Sequence, residues 1–124
     1  TPPLISTRVE YNVNATSSLF HLCGKDDNGI PLLFDHIIFN FPHLGVEDCN
    51  IHASMLAHIL FRSAEVLSPR EGSRIHVSLA EGQAERWRLA ASAEKLSLRI
   101  ARQVPFTQGD WPGYETRRHQ SGEW

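Results

Sequence analysis

The chain has 124 residues, 41% hydrophobic and 21% charged, with 12 lysines and arginines against 14 aspartates and glutamates for a formal net charge of −2. That length supports one domain around one hydrophobic core, and the near-balanced charge excludes both a disordered polyelectrolyte and a general polyanion-binding surface. Two isolated cysteines, Cys23 and Cys49, exclude a disulfide framework and offer no zinc-like spacing, and the longest apolar run falls well short of the ~20 residues of a membrane span.

The chain therefore reads as soluble and intracellular, in a reducing compartment, with neither metal nor membrane contacts. It begins at Thr1 without an initiator methionine and ends at Trp124 after a charged segment, which reads as a piece of a longer protein.

Residues 8–13, Arg-Val-Glu-Tyr-Asn-Val, alternate polar and apolar and predict a short strand. Residues 17–31 collect Gly24, Asp26, Asp27, Asn28, Gly29 and Pro31, a density of turn formers that predicts a loop. The run Phe-Asp-His-Ile-Ile-Phe-Asn-Phe, residues 34–41, has consecutive apolar positions at Ile37, Ile38 and Phe39, as in a parallel strand covered on both faces. A helix follows Gly45, capped by Asp48 or Asn50, with Ile51, Met55, Leu56, Ile59, Leu60, Ser63 and Leu67 at helical spacing and Ser68-Pro69 as its stop. Residues 74–79 alternate again between Gly72 and Gly82 and predict another strand. A second helix is predicted over 84–95, with Trp87, Ala90, Ala91 and Glu94 near one face, and a last strand over 97–104. From Phe106 the periodicity fails in a segment rich in Trp, Tyr and Arg.

Strands alternating with helical crossovers predict a single α/β domain over 1–124, built on a mostly parallel sheet of about four strands with flanking helices. Ligands of such sheets bind outside the carboxyl ends of the strands, and Asn40-Phe41-Pro42-His43 stands at one. Pro42 removes a backbone donor and biases Phe41 toward an extended conformation, so the ladder ends there. Asn40 offers an acceptor and two donors, Phe41 a stacking face and His43 a group that exchanges a proton near neutral pH. The plain alternative is that Asn40 caps a turn and His43 is solvated. His36 and His76 within strands, and His52 and His58 on the helix, read as structural or exposed. The terminal Trp111-Pro112-Gly113-Tyr114 segment with Arg117 and Arg118 reads either as a loop packed on the sheet or as a surface that stacks on RNA bases and contacts phosphate.

Several ordered segments together resemble one family. "VEYNVNAT", "FDHIIFNFPHLG", "ILFRSAEVLSPREGSRIHVSLAEGQAERWRL" and "WPGYETRR" resemble motifs of the Rossmann-like methyltransferases typified by the fungal large-subunit ribosomal RNA uridine-N3 methyltransferase, over about residues 8–118. The resemblance implies a Rossmann-like fold, S-adenosylmethionine as cofactor, ribosomal RNA as partner, and a nuclear or nucleolar location. It implies methyl transfer to a uridine ring nitrogen, with Asn40, Phe41, Pro42 and His43 catalytic. Asn40 or the Phe41 backbone would hold the uracil edge, and His43 would help remove the imide proton. It implies cofactor contacts from Asn14, Ala15, Thr16 and Asn40, and RNA contacts from Tyr114, Arg117 and Arg118. In two respects the chain departs from the pattern. Asn14 stands where the family carries Asp, and no glycine-rich cofactor loop lies before Arg8. The expectation is thus the carboxyl-terminal portion of a methyltransferase domain, catalytically incomplete as given. The alternative is a non-catalytic methyltransferase-like module that binds RNA or a protein partner.

Overall fold

The computed structural model describes residues 9–105. Within them the β-branched and aromatic run forms strand β1 (His36–Asn40), and the second alternating run forms β2 (Arg74–Ser78). The two pair in parallel, in register from His36 opposite Arg74 to Asn40 opposite Ser78. Parallel pairing requires a crossover, and helix α1 (Cys49–Val66) supplies it. Two short helices, α2 (Gln83–Arg86) and α3 (Leu89–Lys95), follow β2, and a 3-10 turn spans Phe20–Leu22.

The predicted loop is ordered by one carboxylate: Asp26 Oδ1 accepts from the backbone N–H groups of Asn28 and Ile30 at 2.8 and 2.9 Å. Helix α1 begins where Asp48 accepts from the N–H groups of Asn50 and Ile51, satisfying donors that have no partner within the helix. Its apolar face covers one face of the sheet. Met55, Leu56, Ile59 and Trp87 form a buried cluster against which Phe39, Val77, Leu79, Leu89 and Ala15 pack. A second cluster joins Leu19, Cys23 and Val66, with Leu22, Phe34 and Ile37 against it.

Four expectations change. Residues 9–13 form no strand: Val9 and Tyr11 are 67% and 83% exposed, and Asn12 takes a left-handed backbone conformation. An alternating run becomes a strand only when another strand pairs with it, and neither described strand does so here. Residues 97–104 likewise form no strand, because Ser97 turns left-handed directly after α3. Among the described residues the sheet thus has two parallel strands, of the about four expected. The helix predicted over 84–95 is broken between α2 and α3, with Arg88 at φ 53°. That break buries Trp87 and Ala93 and leaves Ala90, Ala91 and Glu94 exposed. Finally, β1 is covered on one face among the described residues: Ile37 and Phe39 pack inward, whereas Ile38 is 47% exposed.

Candidate functional site

Strand β1 ends at Asn40, and the Phe41 N–H adds one last bond to the Ser78 carbonyl at 2.8 Å. The backbone then turns sharply, with Phe41 at φ 54° rather than extended. Pro42 disfavours the right-handed helical region for the residue before it, and the chain leaves the sheet through the left-handed region instead. For a non-glycine residue that conformation costs about 1–2 kcal/mol. The Phe41 N–H is committed to the sheet and is no donor for a uracil edge.

Asn40 is different. Its Oδ1 is buried and accepts no hydrogen bond from the described residues. A buried acceptor without a partner costs about 1–3 kcal/mol, so it is a natural place for a ligand donor.

His43 is held by the turn it helps to make. Its Nδ1 accepts from the Gly45 N–H at 2.7 Å. Gly45 lies at φ 83°, where any L side chain would be strained. An accepting Nδ1 carries no proton, so the neutral ring keeps its proton on Nε2.

Behind His43 lies a residue that the sequence left as structural or exposed. His52, on the first turns of α1, is 1% exposed. Its ring stacks on Trp87 at 4.3 Å with 9° between planes and lies 4.2 Å from the ring of His43. Its Nε2 accepts from the Leu44 N–H at 3.1 Å, and its Nδ1–H donates to the Asp48 carbonyl at 2.8 Å. A signal for it was present. Positions 52, 56, 59, 63 and 66 repeat at four and three, and all are buried, whereas Ile51 is 45% exposed.

Of the expected cofactor residues, Asn14 is exposed and turns on itself. Its Oδ1 accepts from both the N–H and the hydroxyl of Thr16, at 3.0 and 2.6 Å. Ala15 packs against the same cluster as Phe39, which ties the 14–16 turn to the core beneath the end of β1. Between that segment and β1 lies a cavity of about 280 Å³ whose lining includes Val13, Ala15, Leu22, Phe34 and Phe39, with His36 as its one polar side chain. It is an apolar trough, and neither Asn40 nor His43 borders it. Tyr114, Arg117 and Arg118 lie outside the described residues.

The open sheet face carries a second histidine pair, His36 Nδ1 and His76 Nε2, 3.1 Å apart. Burial, with smaller contributions from the charges of His36 and Arg74, pushes the His76 imidazole below its ordinary value. No group of three or more His, Cys, Asp or Glu among the described residues is arranged to hold a metal ion. No described helix is long and apolar enough to cross a membrane.

Residues 5–118 match the family described as BMT5-like, rRNA (uridine-N3-)-methyltransferase BTM5-like. The chain belongs to that family. This BMT5-like chain is also 32% identical over 92 residues to heavy metal-associated isoprenylated plant protein 41 of Arabidopsis thaliana, a match that covers 68% of the chain and 18% of that protein. The chain thus corresponds to less than a fifth of that relative's length. No solved structure matches it.

Proposed function

We propose that the complete protein transfers a methyl group from S-adenosylmethionine to the ring nitrogen N3 of a uridine in ribosomal RNA, and that the end of β1 holds the uracil. The observation that carries this reading is the buried Oδ1 of Asn40, without a partner among the described residues, at the carboxyl end of a parallel strand, in a chain of the uridine-N3 methyltransferase family. The N3–H of uracil is a donor flanked by two carbonyl acceptors. Asn40 sits at the N3 edge: its Oδ1 accepts the N3–H as the uridine binds, and must yield that in-plane direction to the methyl group once the proton has left. His43, protonated on Nε2 by virtue of its bond from Gly45, donates to the adjacent carbonyl and stabilises the charge that spreads onto it as the N3 proton leaves to water. The expectation that His43 helps to remove the proton stands beside this reading as a second role for the same ring. Phe41 supplies a face for stacking, and Pro42 fixes the turn that presents it.

S-adenosylmethionine supplies an electrophilic methyl group when bound. Asn14, Ala15 and Thr16 would hold its nucleoside end: the apolar trough beside Ala15 suits a purine ring, and Asn14 Nδ2 can donate to a ribose hydroxyl. Asn14 Oδ1, already engaged by Thr16, adds no acceptor, so the charge an Asp would bring there is missing. That observation favours the second reading, a methyltransferase-like module that binds RNA or a protein without chemistry. A ribosomal RNA substrate also implies a nuclear or nucleolar location.

Methyl transfer by the full-length protein to a ribosomal RNA fragment tests both. Asn40→Ala should lower kcat/KM by about a hundredfold, the effect of removing one oriented hydrogen bond at a reacting group. An unchanged rate removes Asn40 from the site. Calorimetric titration of folded full-length protein that finds no S-adenosylmethionine binding, with RNA binding retained, selects the non-catalytic module.

A further inference from the structure

We propose that His52 is the positioning residue of the 41–45 turn, a buried imidazole bonded at both nitrogens that sets both the path of the turn and the orientation of the His43 ring. The catalytic consequence rests on the reading of the site given above; the structural claim does not.

Polarity makes the first argument. His52 occupies a position on the buried face of α1 whose neighbours in the core are Met55, Leu56 and Ile59. An imidazole there is stable only if both nitrogens are bonded. Both are, and both partners are backbone groups at the junction of turn and helix: Leu44 N–H on one side, Asp48 C=O on the other. A phenylalanine would fill the same space and could make neither bond.

Connectivity makes the second. Asp48 holds the first turn of α1 through Asn50 and Ile51, so His52 hangs from a fixed support. It holds Leu44 by the backbone, and the next residue, Gly45, holds His43 Nδ1. Two consecutive amides therefore connect the helix to the tautomer of His43. Ring packing repeats the link: Trp87 stacks on one ring of the pair and lies 5.8 Å from the other.

The bonds also specify the protonation of His52. Nδ1 carries the proton and Nε2 does not. A second proton, on Nε2, would set two N–H donors against each other across 3.1 Å. His43 on the turn lies 4.2 Å from the ring, Asp48 at the helix cap bonds it through the backbone carbonyl, and Arg88, between α2 and α3, donates to Asn50 Oδ1 at 3.3 Å.

Two variants separate hydrogen bonding from packing. His52→Phe keeps the ring on Trp87 and loses both bonds; in His52→Gln the Oε1 reaches the place of Nε2 and restores the bond to Leu44 without the ring. In the full-length protein, amide exchange at Leu44 should quicken about tenfold in the Phe variant, as expected for one lost hydrogen bond, and return toward the wild-type rate in the Gln variant. Methyl transfer should follow the same order, kcat falling about a hundredfold for Phe through misplacement of His43 and recovering for Gln. Leu44 protection in the Phe variant equal to wild type, or rescue of neither quantity by Gln, overturns the proposal. Should the Phe variant not fold, nitrogen NMR of the wild-type ring decides: Nδ1 protonated and Nε2 bare supports it, and the reverse overturns it. If the wild-type protein transfers no methyl group, the proposed function fails, while exchange at Leu44 still tests His52.

Discussion

His76 shows how a single side chain couples the open sheet face to pH. Its imidazole is pushed below the ordinary value of 6.5, chiefly by burial and further by His36 and Arg74. The folded chain therefore binds fewer protons there than the unfolded chain once the pH drops below 6.5. Stability is insensitive to this group above that value, falls as the pH descends from it toward the lowered folded value, and levels off below. Salt screens only the smaller contributions of His36 and Arg74, not that of burial. Urea unfolding of His76→Gln should show a shallower loss of stability between neutral and mildly acid pH than the wild type. An identical acid slope would mean that other groups cause it. At the same scale, Asn40 and His43 were both visible as candidates in the sequence, but the proton on His43 was not. Only the Gly45 N–H at 2.7 Å assigns it to Nε2.

Among the elements, α1 does most to place the site. Its cap, Asp48, satisfies two backbone donors and also presents the carbonyl that His52 bonds. Asp48→Ala should cost about 1 kcal/mol of stability in chemical denaturation, the usual cost of a lost N-cap. A loss within error would show that water replaces the carboxylate fully. The helix was legible from the cap, the spacing and the Ser68-Pro69 stop. Which of its faces was buried was legible only in part, because Ile51 looked like the first core position and His52 took the place. The break at Trp87 and Arg88 was not legible at all. Residues 83–95 carry good helix formers throughout, and only the seat of Trp87 among Met55, Leu56 and Ile59 requires the chain to turn there.

For the molecule as a whole, the core beneath the sheet is small and Leu56, 0% exposed, is at its centre. Leu56→Ala should destabilise the fold by about 2–5 kcal/mol, through lost burial and the cavity left behind. The check is a lower denaturant midpoint with an unchanged slope; a shift of under a third of that range would mean that α1 collapses into the space.

The sequence by itself determined the β1–α1–β2 unit, the turn-rich loop before it and the family, and it proposed the polar end of β1 as the site. These depend on local signals: a cap three residues from its acceptors, a period of 3.6 or 2, a motif of contiguous residues. Tertiary structure alone decided that the runs at 9–13 and 97–104 are not strands, because a strand exists only by pairing. It alone decided that Asn40 keeps an unspent acceptor and that His43 is braced by His52 and Trp87. Residues 43, 52 and 87 come from a turn, a helix and a helix junction, and no spacing along the chain records the 4.2 and 4.3 Å that bring their rings together.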